Sequence, residues 1–285
     1  MDALAILPIR NDAPYVANCL RSLIREGLAV AVIDNDSTDG LDEILARPEF
    51  HPHLVDRSRL PFRGTYEVTR IWAAVDEVAS RMAPDWVVYV DADEVLHSYS
   101  EEERVVDVLI AAEAAGCNAV NFDEFVFLPV EHDYVPDAAG WQPLRHYYFF
   151  EPRPTRLVRA RRHDAGLSMA ASGTHGLRDP RARIFSRSLA NRHYLFRSAE
   201  HARTKYPERR YSAADVEHGW HLNRVEYGPR DFEFPSPSRL KRLAHPDDRR
   251  LDRSEPWRRH YWERPSGLGE RALALARRAG RSLSR

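Results

Sequence analysis

Apolar runs and helical stripes alternate along the first half of the chain. Residues 3–7 form an apolar run too short for a helix, and Pro8 ends it, so it predicts a buried strand. Asn11 or Asp12 then stands where a helix needs its cap, and Pro14 fits the first turn. Val16, Cys19, Leu20, Leu23 and Ile24 recur on one face, and Gly27 closes that helix. Residues 28–33 predict a second strand. A polar loop over 34–40, a short helix over 41–46 and a short strand at 54–55 follow. A long helix is expected over 65–82, and a strand over 86–90 that stops at Asp91-Ala92-Asp93-Glu94. Ser100 is placed to cap a helix with Glu101, Glu102 and Glu103 in its first turn, ending at Gly116. Residues 119–128 predict another strand.

This alternation predicts an α/β fold with a mostly parallel sheet flanked by helices. After Pro129 the pattern weakens. The stretch 129–185 is rich in Pro, Arg and aromatic residues, with a strand expected at 146–150. From Ser186 the chain reads as mostly helical and basic, and 229–265 is broken by Pro and Trp. The expected division is an α/β domain over 1–185 and a helical to irregular, basic C-terminal extension over 186–285. No internal repeat is visible.

Composition bounds the function. Hydrophobic residues make up 43% of the 285, enough for a sizeable core, which excludes wholesale disorder. The longest apolar runs fall far short of the roughly 20 residues of a membrane span, and no charged-then-apolar leader opens the chain. Cys19 and Cys117 are too few for a disulfide framework or a Cys-rich zinc site, so a reducing cytoplasm is expected. The net charge of -1 hides an asymmetry: residues 1–150 carry -16 and residues 151–285 carry +15, with 40 of the 42 basic residues arginine. Arginine forks suit phosphate and carboxylate groups. The basic residues are interspersed with acids and form no nucleic-acid motif, so no nucleic-acid partner is expected. The tail 267–285 has five arginines and one acid, with Leu268, Leu275 and Leu283 on one stripe. Such a segment can lie on an anionic membrane surface, which would place the protein peripherally at the inner face.

Three polar clusters change the picture most: Arg10-Asn11-Asp12, Asp34-Asn35-Asp36 and Asp91-Ala92-Asp93-Glu94. Each falls at the carboxyl end of an expected strand, where ligands sit in open α/β sheets. Asp91 and Asp93 would repel one another unless a cation or hydrogen-bond donors lie between them. Mg²⁺ or Mn²⁺, sharing a diphosphate, suits such hard oxygen ligands. The competing reading is that both aspartates only cap the next turn.

Taken together, these segments resemble glycosyltransferase family 2, which has the GT-A fold. Leu7-Pro8-Ile9-Arg10-Asn11-Asp12 resembles its opening motif, the run from Ile33 to Gly40 its second loop, and the run from Trp86 to Glu94 its Asp-x-Asp strand end. Asn35 and Asp36 depart from the pattern, Asp36 standing where the family has glycine. The second half resembles one bacterial branch of the family through Asn121 to Pro129, Tyr148 to Pro152, Ser172 to His175, Arg192 to Ser198, Lys205-Tyr206 and Gly219-Trp220-His221. The likeness covers about residues 1–225.

The resemblance implies transfer of a hexose-type sugar from a UDP- or GDP-sugar to a hydroxyl acceptor, with inversion and a divalent metal. The acceptor is a glycan, a lipid-linked sugar or a small molecule. Pro8, Arg10 and Asp12 fall where family members line the nucleotide pocket. Asp34 falls where a carboxylate meets the base, with Asn35 beside it. Asp91 would approach the ribose or donor sugar, and Asp93 would bind the metal.

A carboxylate must also take the acceptor's proton. The candidates are Asp123 and Glu124, which point to opposite faces of an unbroken strand. Glu124 is preferred, because its apolar face would raise its pKa. His175, between two glycines, is a candidate metal ligand or diphosphate contact. His193, Arg197 and Lys205 are candidates for a basic lid on the diphosphate. Arg70, mid-helix, is a further donor-site candidate, with an ion pair to Asp76 or Glu77 as the alternative. Two other classes compete. A nucleotidyltransferase would need a Gly-rich phosphate loop after the first strand, which is missing. A non-catalytic binding member of the fold would have lost the intact Asp91 and Asp93.

Overall fold

A computed structural model describes residues 1–134, 144–167, 177, 179–218, 220–221, 224 and 228–263. The sheet begins with four parallel strands, β1 (Ala3–Ile9), β2 (Ala29–Asp34), β3 (Leu54–Arg59) and β4 (Trp86–Tyr89), in the order β4-β1-β2-β3. Alternate residues of β1 serve opposite faces. Ala3, Ala5, Leu7 and Ile9 pack with helices α1 (Ala13–Arg25) and α4 (Val105–Ala114). Leu4 and Ile6 pack with Val68, Trp72, Val75 and Val78 of α3 (Val68–Met82). The sheet is therefore covered on both sides, as parallel sheets require. Between β2 and β3 runs the short helix α2 (Leu41–Leu45).

The sheet continues past β4 through antiparallel pairs: β8 (Val158–Arg162) beside β4, then β6 (Ala119–Phe127), then β7 (His146–Phe150), then the two-residue β10 (Lys241–Arg242). The strand β9 (Leu189–His193) runs parallel to β6 and antiparallel to β5 (Glu94–His97). A third, aromatic core gathers Tyr148, Phe150, Phe196, Tyr206, Phe232 and Trp262 over this end.

Several expectations change in detail. α4 starts at Val105, not at Ser100, because the Val105 amide donates to buried Glu26 at 2.9 Å while Glu103 pairs with Arg187. α3 starts at Val68, whose amide is accepted by Asp215 at 2.7 Å. Residues 189–193, expected within a helical extension, are the strand β9, and the helices that follow it among the described residues are short: α5 (Ala199–Lys205), α6 (Ala213–Glu217) and two 3-10 turns at Pro229–Phe232 and Pro237–Arg239. At the end of α1, Gly27 has φ +83°, and a Cβ there would meet Val106 Cγ1 at 2.7 Å. Glycine thus lets α1 and α4 approach.

Candidate active site

The carboxyl ends of β1, β2 and β4 open into a cavity of about 890 Å³. Pro8, Arg10, Asp12, Asn35 and Asp91 line it, together with Asp93, Glu124, His193 and Lys205. Two residues in left-handed conformation shape the near rim, Asn11 (φ +53°) and Asp36 (φ +54°). Asn11 Oδ1 accepts the Thr38 amide at 2.8 Å, and Asp36 accepts the Phe62 amide at 2.7 Å and Arg59 Nε at 2.6 Å. Asp36 thus takes the conformation glycine favours, one that Asp tolerates, and the turn survives. Arg10 stacks on Phe62, its Cζ 3.3 Å from the ring centroid, and donates to the carbonyls of Asn35 and Asp36.

Neither Asn11 nor Asp12 caps α1 through its side chain. The Ala13 amide donates to Asp39 at 2.7 Å, which leaves the Asp12 carboxyl to the cavity. Burial, helped by the charges of Asp93 and Asp91 and opposed by Lys205 and Arg209, pushes that carboxyl up to about 6. In the unfolded chain it ionises near 3.8, so its ionised form penalises the native state as pH rises through about 4 to 6. Asp12→Asn is therefore expected to match wild type near pH 3.5 and to be more stable above pH 6.5, by about 3 kcal/mol. Urea midpoints at the two pH values check this, and equal midpoints above pH 6.5 would contradict the burial argument.

Asp91 is held by Tyr89 Oη at 2.8 Å and by Arg159 Nη2 at 2.9 Å. Asp93 is buried. Lys205 Nζ lies 2.8 Å from one of its oxygens and His193 Nε2 lies 3.5 Å from the other. Burial alone would raise the Asp93 pKa, but Lys205 and His193 hold it far below the usual range. The same carboxylate, with Glu124, outweighs burial of the imidazole and keeps His193 protonated. β9 delivers His193 opposite Glu94 and beside Val126, so sheet register fixes its position.

Asp123 and Glu124 do point apart. Glu124 lines the cavity, accepting from His193 Nδ1 at 2.8 Å and from Arg156. Asp123 lies off the cavity, bonded to Tyr99 Oη at 2.8 Å and Arg253 at 3.1 Å. The raised pKa expected for Glu124 is not found. Burial pushes it up, yet Arg156 and His193 overcome this and hold it well below the carboxylate range.

Other candidates lie elsewhere. Asp34 accepts the Ser37 amide at 2.8 Å within its own loop, and Asn35 lines the cavity in its place. Arg70 donates to Glu67 at 2.7 Å and to the Pro61 carbonyl, rather than pairing with Asp76 or Glu77. Arg197 is absent from the cavity wall, and its amide donates to His201 Nδ1. His175 and the tail 267–285 lie outside the described residues. Sequence reasoning missed Arg156, Arg159, Arg209 and Arg224, all of which line the cavity. Arg156 follows the Tyr148-to-Pro152 motif closely, the one signal that could have drawn attention to it.

The family model for glycosyl transferase family 2 matches residues 4–169. The chain belongs to glycosyl transferase family 2. It is an enzyme of the glycosyltransferase class with the mixed α/β architecture of that family. Among solved structures, S. aureus TarS 1–349 in complex with UDP-GlcNAc is 13% identical over 84% of this chain and 78% of that one, with a TM-score of 0.44. The mannosyltransferase PcManGT from Pyrobaculum calidifontis, in complex with GDP-Man and Mn2+, is 18% identical over 82% of this chain and 66% of that one, with a TM-score of 0.44. This chain spans 44% of the longer S. aureus TarS chain. No curated protein matches it in sequence. Among the described residues, no helix of this family 2 member is long and apolar enough to cross a membrane.

Proposed function

We propose that this family 2 enzyme moves a sugar from a nucleotide-sugar, a UDP- or GDP-sugar, to a hydroxyl acceptor with inversion. The observation that carries the reading is the meeting of Asp91 and Asp93, at the end of β4, with Glu124 and His193 in one cavity. The nucleoside lies along Pro8, Arg10, Asp12 and Asn35. The acceptor enters from the side of Glu124. Its oxygen attacks the anomeric carbon as the bond to the diphosphate breaks through an oxocarbenium-like state, and its proton passes to Glu124. With both Glu124 oxygens in ion pairs, proton uptake requires loosening one of them.

A divalent ion, Mg²⁺ or Mn²⁺, fits the donor chemistry. Asp93 offers the carboxylate that would hold it, and the Lys205 ammonium already marks a cation position on Asp93, while His193, protonated here, would have to give up its Nε2 proton to join. Among the described residues no cage of three or more His, Cys, Asp or Glu side chains is present. An ion that arrives with a diphosphate needs only one or two protein ligands. When bound it would neutralise charge developing on the departing diphosphate. Glu124, bonded to His193 Nδ1, fixes the orientation of that ring.

Release of UDP or GDP from a panel of their sugars, with Mn²⁺ and with EDTA, tests the reading. Turnover of at least one donor is expected, abolished in Asp93→Asn. Failure of the wild type to bind any nucleoside diphosphate by calorimetry overturns it.

A further inference from the structure

The other arginines of the cavity wall have work to do. Arg156 pairs with Glu124, Arg159 with Asp91 and Glu94, and Arg258 with Glu151. Arg209 and Arg224 line the same cavity and have no salt-bridge partner among the described residues. Aromatic faces hold them instead. Arg209 Cζ lies 4.9 Å from the Tyr66 centroid and 5.9 Å from that of Tyr206, and Arg224 Cζ lies 4.4 Å from that of Tyr206. Arg224 Nε is buried and has no hydrogen-bond partner among the described residues.

One tyrosine ring therefore carries two guanidinium groups. A ring face attracts a cation but accepts little from the N–H fork. Two like charges drawn together in a partly desolvated wall repel, and an anion between them would reverse the sign. The anion that matches two forks is one with several acceptor oxygens on a single centre, a phosphate. The carboxylates whose fields reach the pair are Asp12 at Arg209 and Asp91 at Arg224. Both belong to the strand ends on the donor side.

We propose that Arg209 and Arg224 clamp a phosphate group of the nucleoside diphosphate donor. The clamp rests on the nucleotide-sugar reading and adds to it the residues that grip the diphosphate. It lines the same cavity as Asp91 and Asp93, so the phosphates would lie between the strand end and the segment after α5. Two guanidinium forks so placed also stabilise the diphosphate as it departs.

Calorimetric titration of the full chain in Mn²⁺ tests the clamp, using UDP, GDP, uridine and guanosine with wild type, Arg209→Gln and Arg224→Gln. For the diphosphate that wild type binds, each variant is expected to lose about tenfold or more in affinity. Nucleoside affinity and thermal midpoint should stay near wild type. Diphosphate affinity within about twofold of wild type overturns the clamp, as does a parallel fall in nucleoside affinity. If diphosphate binding is unchanged and only the KM for acceptor rises, the arginines serve an anionic acceptor and the donor assignment is wrong. Wild type that binds neither UDP nor GDP defeats the nucleotide-sugar reading itself, a result distinct from failure of the clamp.

Discussion

Arg159→Ala is expected to destabilise the protein by about 3–5 kcal/mol, the usual cost of stripping the partner from a buried charge. Arg159 is 2% exposed, and its Nη2 serves Asp91 and Glu94 together. Glu94 is itself buried, with Asn191 Nδ2 at 2.8 Å as its other side-chain donor. Without Arg159, burial would push Glu94 up strongly, and Asp91 would lose its ion-pair partner. Urea unfolding gives the loss as a shift in midpoint at unchanged slope. The double variant Arg159→Ala with Glu94→Gln should recover part of it, because the uncompensated carboxylate is then gone. A loss below about 1 kcal/mol would mean that water reaches the pair and screens it, as at exposed salt bridges.

Glu124→Gln is expected to cut turnover deeply without weakening the donor's binding. Glutamine keeps the shape and can still accept from His193 Nδ1, but it cannot take up a proton. Transfer should fall by about 10²–10⁴-fold while donor affinity holds. If donor affinity and metal dependence fall together with turnover, Glu124 acts chiefly by orienting His193, and its place as the base is lost. Asp123→Asn provides the contrast. Asp123 faces Tyr99 and Arg253, away from the cavity, so that variant should retain nearly full transfer rates. Steady-state kinetics with saturating donor separate the outcomes. Abolished transfer in Asp123→Asn alone would reverse the assignment of faces.

The strands that announce themselves in the sequence are those whose burial is apolar. Residues 3–9, 29–34 and 86–89 fold close to the expected spans, and His146–Phe150 is a strand as its aromatic run suggests. Val158–Arg162 and Leu189–His193 gave no such signal. Their sequences, VRARR and LANRH, look like solvent-exposed segments. Arg159, Arg161, Asn191 and Arg192 are nonetheless buried, and partners far along the chain satisfy them: Asp76 for Arg161, Glu94 for Arg159 and Asn191. Periodicity sees hydrophobicity and is blind to charge compensation across such separations. The site shows the same division. Motif spacing located Asp91, Asp93 and Lys205, yet nothing local indicates that Lys205 closes on Asp93 or that Asp34 turns back into its own loop.

The placement of β9 bears on how the enzyme comes into being during synthesis. β5 has no sheet partner except β9 among the described residues, and Glu94 meets Asn191 across 97 residues of chain. Until β9 leaves the ribosome, the nascent chain carries Asp93 beside an unpaired strand edge, without His193 or Lys205 to balance it. Pairing over that distance is slow to nucleate and leaves edges open to other chains in the meantime. The parallel strands of the first hundred residues can assemble early, but the catalytic cavity closes only after two thirds of the polypeptide has emerged. A nascent or truncated chain that ends where the family match ends, at residue 169, would therefore hold Asp91, Asp93 and Glu124 without the His193 and Lys205 that balance them.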